Sequence, residues 1–269
     1  MPARPGREQL AAPDVQGFRR MVESALRAVR PDAAPGEPPI SATKWGVYAF
    51  YDYEEEPIYV GQTNESLRVR IRRHLTNQRT DAVGMRVLDP YEIRWIEMWP
   101  LVEFSNGLKN LPVDEKRQHL NRLERTVYER AIRASRFGVI LNEKIPPDVP
   151  LLADDELPTS YRFPVVPDEV LEERQHPDNR IARRAETLGR LANVIRERGS
   201  VSNGLRRVVV VQAVRLAWLG AVRLAEAEGR PAPDFHETVD LPALVAGALE
   251  PDEDDEDAED ADAEVADAD

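Results

Sequence analysis

The stretch KWGVYAFYDYEEEPIYVGQT, residues 44–63, decides the reading of this chain. Aromatic and β-branched residues crowd both of its ends, so 45–53 and 58–61 read as strands. The acidic segment 54–57 between them reads as the turn of a hairpin. Tyr48 and Tyr59 then lie on neighbouring strands, where cross-strand side chains approach to about 5 Å.

Working outward, residues 66–75 read as a helix, 91–100 as a further strand and 114–135 as a long helix. A short apolar segment, 137–142, follows, and Pro146-Pro147 closes the unit. Upstream, 16–29 is a short amphipathic helix with Phe18, Met21, Val22, Ala25 and Leu26 on one side, and 30–41 is a Pro/Ala-rich linker. Downstream, the acidic, proline-rich 150–167 reads as a domain boundary. Two long helices then follow at 178–198 and 204–228, joined by a Gly-Ser-Asn turn. The expected fold is α+β: a small antiparallel three-stranded sheet flanked by helices over 44–149, preceded by a helix and linker at 1–43. An α-helical region at 150–249 and an acidic tail at 250–269, expected to be disordered, complete the chain.

The hairpin supplies Gly46-Val47-Tyr48 and Tyr59-Val60-Gly61. Leu67-Arg68-Val69-Arg70 follows with His74 four residues on, then Leu123-Glu124 and Leu141-Asn142. In this order and spacing the set resembles the GIY-YIG nuclease superfamily over roughly 100 residues. The resemblance implies a DNA endonuclease with Tyr48, Tyr59, Arg70, His74, Glu124 and Asn142 as catalytic residues. It leans toward the restriction and phage-defence branch, because repair-type members often lack the histidine; a repair or mobile-element endonuclease is the alternative. Val stands at the middle of both tripeptides, where the family pattern has Ile. Gln62 stands where many members carry Lys, which weakens the case for Tyr59 as a base. Asn142 rests on the resemblance, which implies that it supports the site or touches phosphate; by itself it reads as a turn residue.

The same residues carry a physical argument. A tyrosine has a reference pKa of about 10 and becomes a base only beside cations; otherwise Tyr48 and Tyr59 are two half-buried sheet tyrosines. On a helix turning about 100° per residue, Leu67, Ile71 and Leu75 form one apolar face, with Val69 and Arg73 opposite. Arg70 and His74 align one turn apart on the flank of that face, where a side chain can reach a cleft at the core's edge. Arg70 would hold the scissile phosphate, and His74 would orient it or shuttle a proton. Arg68, Arg72, Arg73 and Arg79 would hold DNA backbone, or simply form a solvated basic face. On the long helix Glu124 shares a face with Leu120, Leu123, Val127 and Ala131, whereas Glu129 falls on the solvent side as a fallback. A carboxylate in an apolar stripe needs a cation. Mg²⁺, or Mn²⁺, fits with Glu124 as its single protein ligand; a buried salt bridge to an arginine is the alternative.

Composition narrows the partners. The net charge of −13 is carried by the tail: thirteen of the 49 acidic residues lie in 250–269, leaving 36 against 36 basic ones in the body. A neutral body with local basic patches is compatible with DNA. Residues 180–207 hold eight arginines against Glu186 and Glu197, which suggests DNA contact or, with 208–219 as a seam, a homodimer; a purely structural role is the alternative. The tail either competes with DNA for basic surface or only aids solubility. No cysteine is present, which excludes disulfides and cysteine zinc sites. No uninterrupted apolar run reaches about 18 residues and no signal peptide is recognisable, so a cytoplasmic, membrane-free protein is expected. A restriction enzyme would be accompanied by a methyltransferase, a defence system by a partner protein. The rival outside enzymology is a DNA-binding or regulatory protein on an inactive nuclease scaffold.

Overall fold

The computed structural model describes residues 12–75 and 87–246. The acidic tail and residues 76–86, with Arg79 among them, lie outside the described residues. The hairpin forms as read, with β1 at Gly46–Tyr51 and β2 at Pro57–Thr63. Its turn is shaped by Asp52, whose Oδ1 accepts the backbone N–H groups of Glu54 (2.8 Å) and Glu56 (3.2 Å). That clasp carries Glu55 through a positive φ of 60°.

β3 at Trp95–Pro100 pairs with the other side of β1. It starts later than 91 because Pro90–Glu92 forms a 3₁₀ turn capped by the Asp89 side chain on the Tyr91 N–H. The sheet has four strands rather than three, in the antiparallel order β2-β1-β3-β4, with β4 at Tyr161–Pro164. The supposed boundary segment therefore supplies an edge strand. β1 is central, and Val47, Tyr48, Ala49 and Phe50 are fully buried.

Helix α1 (Pro13–Arg27) buries Phe18, Val22, Ala25 and Leu26 and packs against α2 (Leu67–Leu75) and β4. α2 buries Leu67, Ile71 and Leu75, the apolar face its sequence predicts. The long α3 (Val113–Ala134) lies against β2 and β1. Past it, the Leu141 N–H bonds the Ile58 carbonyl at 2.7 Å, along the edge of β2.

A short α4 (Asp168–Gln175) precedes α5 (Pro177–Arg198) and α6 (Asn203–Ala227). Gly199, at φ 69°, ends α5, and the Ser202 hydroxyl caps α6 by accepting the Leu205 N–H at 3.1 Å. Two short helices, α7 (Phe235–Thr238) and α8 (Leu241–Leu244), follow. Leu191, Val194, Leu205, Val208 and Val211 join the same apolar core as the sheet.

Three arginines of the basic stretch at 180–207 turn inward to acids of the chain. Asp52 Oδ2 accepts from Arg180 (2.8 Å), Arg184 (3.0 Å) and Arg215 (3.3 Å). Glu92 pairs with Arg180, Arg183 and Arg184, and Glu54 pairs with Arg180. These arginines satisfy acids of the hairpin turn and of the β3 approach; they are not available to DNA phosphates. Arg190, Arg196, Arg198 and Arg206 of the same stretch stay exposed.

Candidate active site

Tyr48, Phe50 and Tyr59 project from one face of the hairpin, because Tyr48 is paired with Gly61 and Phe50 with Tyr59. The Tyr48 and Tyr59 ring centres are 6.2 Å apart, a diagonal rather than a directly opposed pair. Gly61 makes this packing possible: a Cβ there would lie 2.5 Å from Tyr48 Oη and 2.9 Å from Tyr59 Cε1. Gly46 is similarly confined, its Cβ position lying 2.7 Å from the Trp99 carbonyl oxygen. Phe50 stacks on Tyr59 at 6.0 Å and forms an apolar floor that the sequence reading missed.

α2 brings its flank over this floor. The His74 ring lies 5.4 Å from Tyr59 and 5.7 Å from Tyr48, and its Nε2 is 2.8 Å from Tyr48 Oη. Burial, with Arg70 and Arg73 nearby, depresses the His74 pKa to about 4, so the imidazole is neutral at pH 7. The Arg70 guanidinium lies close enough to the Tyr48 phenol to favour its phenolate form.

Tyr48 is fully buried, and burial raises the pKa of both phenols. Arg70 lowers both, and the Glu124 carboxylate raises both. Glu124 is 8% exposed and close enough to bias both tyrosines. Glu129 is half-buried rather than solvent-facing, held by Arg125 (3.2 Å) and Arg133 (2.6 Å). One turn before Glu124, Asn121 accepts from Gln62 Nε2 at 3.0 Å. Among the described residues, the buried Gln62 Oε1 and Arg70 Nε have no hydrogen-bond partner. Such orphaned groups are uncommon and fit a cleft that completes its hydrogen bonds with a polar ligand.

Asn142 is engaged with the protein's own backbone. Its Oδ1 accepts the Val60 N–H at 3.1 Å and its Nδ2 donates to the Val60 carbonyl at 2.7 Å. It thereby satisfies the free edge of β2 beside Tyr59 and Gly61, so it positions the strand and does not offer its amide to phosphate. Arg68 (3.1 Å) and Arg72 (2.5 Å) both pair with Glu23 of α1, and Arg73 pairs with Glu65 at 3.0 Å. Read in sequence as DNA contacts or a solvated basic face, these three remain partly exposed while their ion pairs brace α2.

Among the described residues no group of three or more His, Asp or Glu side chains is gathered to hold a metal. A cage built wholly from protein is therefore not what this cleft offers. One carboxylate beside two neutral phenols and an unpartnered amide oxygen does fit a hydrated Mg²⁺ that takes most ligands from water and phosphate.

Residues 44–104 match the GIY-YIG catalytic domain. This segment forms a GIY-YIG nuclease domain. It contains Tyr48, Tyr59, Arg70 and His74, while Glu124 and Asn142 lie beyond the matched residues and join the site through α3 and the β2 edge. No curated protein and no solved structure matches the chain. A GIY-YIG domain acts on DNA phosphodiesters, so DNA is the substrate class the domain implies.

Proposed function

We propose that the chain is a metal-dependent DNA endonuclease of restriction or phage-defence type, working from the Tyr48–Tyr59–Arg70–His74–Glu124 cluster. The observation that carries this reading is the 2.8 Å contact between the buried Tyr48 phenol and the His74 imidazole, with the Arg70 cation nearby. A phenol beside a proton acceptor can pass a proton on as it receives one, and a nearby cation favours that transfer.

In the proposed reaction a water oxygen attacks phosphorus as its proton passes to Tyr48, whose own proton moves to His74 Nε2. The bond from phosphorus to the leaving oxygen breaks, the oxygen keeps the electron pair, and it takes a proton from solvent. Arg70 directs its positive charge at the charge building on the phosphoryl oxygens. Mg²⁺ or Mn²⁺, when bound at Glu124, would supply further neutralisation and offset the effect of that carboxylate on the phenols. Asn142 and Gly61 act as positioning residues that keep β2 and the Tyr48 ring in place.

One module has one centre, so cutting both strands of a symmetric site calls for two copies. A methyltransferase protecting the same sequence is the partner expected of a restriction enzyme. Digestion of unmethylated genomic DNA with Mg²⁺ tests the restriction reading. Discrete fragments with shared end sequences support it, and a structureless smear or nicking only at branched or damaged DNA overturns it.

A further inference from the structure

α6 seats Leu205, Val208 and Val211 on the core and buries two polar side chains beside them. Its inward face carries Arg215 and Gln212, both buried: Arg215 reaches Asp52, and Gln212 Nε2 donates to the Val87 carbonyl at 2.8 Å. Its outward face, centred on Ala217 by the helical period, runs through Val210, Val214, Ala217, Gly220 and Leu224 with no polar side chain. Ala217 and Leu224 are exposed, Gly220 is partly exposed, and Val210 and Val214 are partly buried against the chain's own core. By length and composition α6 could cross a membrane, yet only a third of its most apolar window is buried within the chain. A monomeric soluble helix is ordinarily polar outside and apolar inside.

Gly220 adds an independent observation. A Cβ there would meet nothing within 4 Å among the described residues, so no contact with them requires glycine. Glycine in a helix interior costs about 1 kcal/mol relative to alanine. Its use is explained if another backbone approaches this face closely.

We propose that the occupant is α6 of a second copy, antiparallel, with the two-fold axis at Ala217. The sequence is self-complementary about that residue. Eleven positions before it stands exposed Arg206, and eleven after it exposed Glu228, which also pairs with Arg230 of its own chain, so each end would place an arginine beside a glutamate of the partner chain. Val210 falls opposite Leu224, and Val214 opposite Gly220, where the glycine leaves room for the valine. Each chain offers the same patch to the other, the geometry of a two-fold dimer. A bilayer is the less favoured occupant. Spanning one would draw Arg215 away from Asp52, and a charge bound in that cluster is costly to move into hydrocarbon. The proposal is independent of the nuclease chemistry, and its readouts do not use activity.

Sedimentation of the full chain, 30.4 kDa, tests it. Wild type should sediment as a dimer at micromolar concentration, and Ala217→Arg, which sets two cations on the axis, should raise the dissociation constant at least a hundredfold. Arg206→Glu should weaken the dimer, and adding Glu228→Arg should restore it. Because the chain has no cysteine, Ala217→Cys should give one cross-linked dimer under mild oxidation. Arg206→Cys should not cross-link to itself, since its copies lie roughly 33 Å apart along the helix pair. A monomeric wild type, an Ala217→Cys chain that stays uncross-linked, or flotation of wild type with phosphatidylcholine vesicles would overturn the proposal.

Discussion

Replacing Asp52 by asparagine removes one negative charge from a buried cluster with almost no change in volume. Asp52 is 2% exposed, and its Oδ2 faces three guanidinium groups at 2.8, 3.0 and 3.3 Å. Arg180 would keep Glu54 and Glu92, and Arg184 would keep Glu92. Arg215, 2% exposed, would keep only Glu56 at 3.8 Å, and burial pushes the Glu56 carboxyl toward its neutral form. An uncompensated buried charge costs about 3–5 kcal/mol. Since an asparagine oxygen still accepts a hydrogen bond, the lower end, about 3 kcal/mol, is expected. With a urea dependence of about 3 kcal/mol per molar, the midpoint should fall by about 1 M. Asp52→Asn with Arg215→Met removes the stranded cation as well and should recover at least about 1.5 kcal/mol of the loss. The sign with pH follows from the depressed pKa of Asp52, held down by the three arginines against burial. Its contribution is present above the unfolded value near 3.8 and is lost as pH falls through the folded value, so wild type and variant should converge in acid. A midpoint shift below about 0.3 M at pH 7, or a double variant less stable than Asp52→Asn, would refute the reasoning.

Gly61→Ala should lower cleavage about a hundredfold, because the added methyl forces the buried Tyr48 ring aside; Gly107→Ala, whose Cβ position is open, should leave the rate unchanged. Asn142→Ala leaves both polar groups of Val60 without their side-chain partner and should destabilise the fold by about 1–3 kcal/mol, read by urea denaturation. His74 takes its proton near 6.5 in the unfolded chain and near 4 in the folded one. Stability should therefore decline by up to about 3 kcal/mol as pH falls across that window, and His74→Gln should remove this part of the decline. Unchanged pH dependence in that variant would show that the imidazole is not held neutral by the fold.

The helices were legible in the sequence because each carries its own period. The apolar face of α2 and the two long C-terminal helices follow from spacing alone, and so does the alignment of Arg70 with His74. β4 was not legible: Tyr161–Pro164 is four residues beside prolines, and what makes it a strand is the free edge of β3. The Asp52 cluster was hidden for a similar reason. Its arginines stand 128, 132 and 163 residues away, so a local count of charge over 180–207 could not show that Arg180 and Arg184 turn inward. The pairing of Arg68 and Arg72 with Glu23, and of Arg73 with Glu65, was likewise invisible in a helix read by itself. Helix geometry placed Glu124 in the buried face but put Glu129 on the solvent side, which its ion pairs with Arg125 and Arg133 correct, and the backbone clasp of Asn142 needed coordinates. Phe50 and Gln62 carried no signal beyond ordinary strand residues.

The central claim is that this cleft hydrolyses DNA with Glu124 serving a bound cation. The most direct measurement is single-turnover relaxation of supercoiled plasmid in Mg²⁺, wild type beside Glu124→Gln, with duplex affinity measured in parallel. The account predicts cutting by wild type that EDTA abolishes. It also predicts a loss of about 10²–10³-fold in the variant, with DNA affinity unchanged. Cutting by Glu124→Gln at the wild-type rate, or a wild type that binds DNA and leaves it intact in both Mg²⁺ and Mn²⁺, would contradict it.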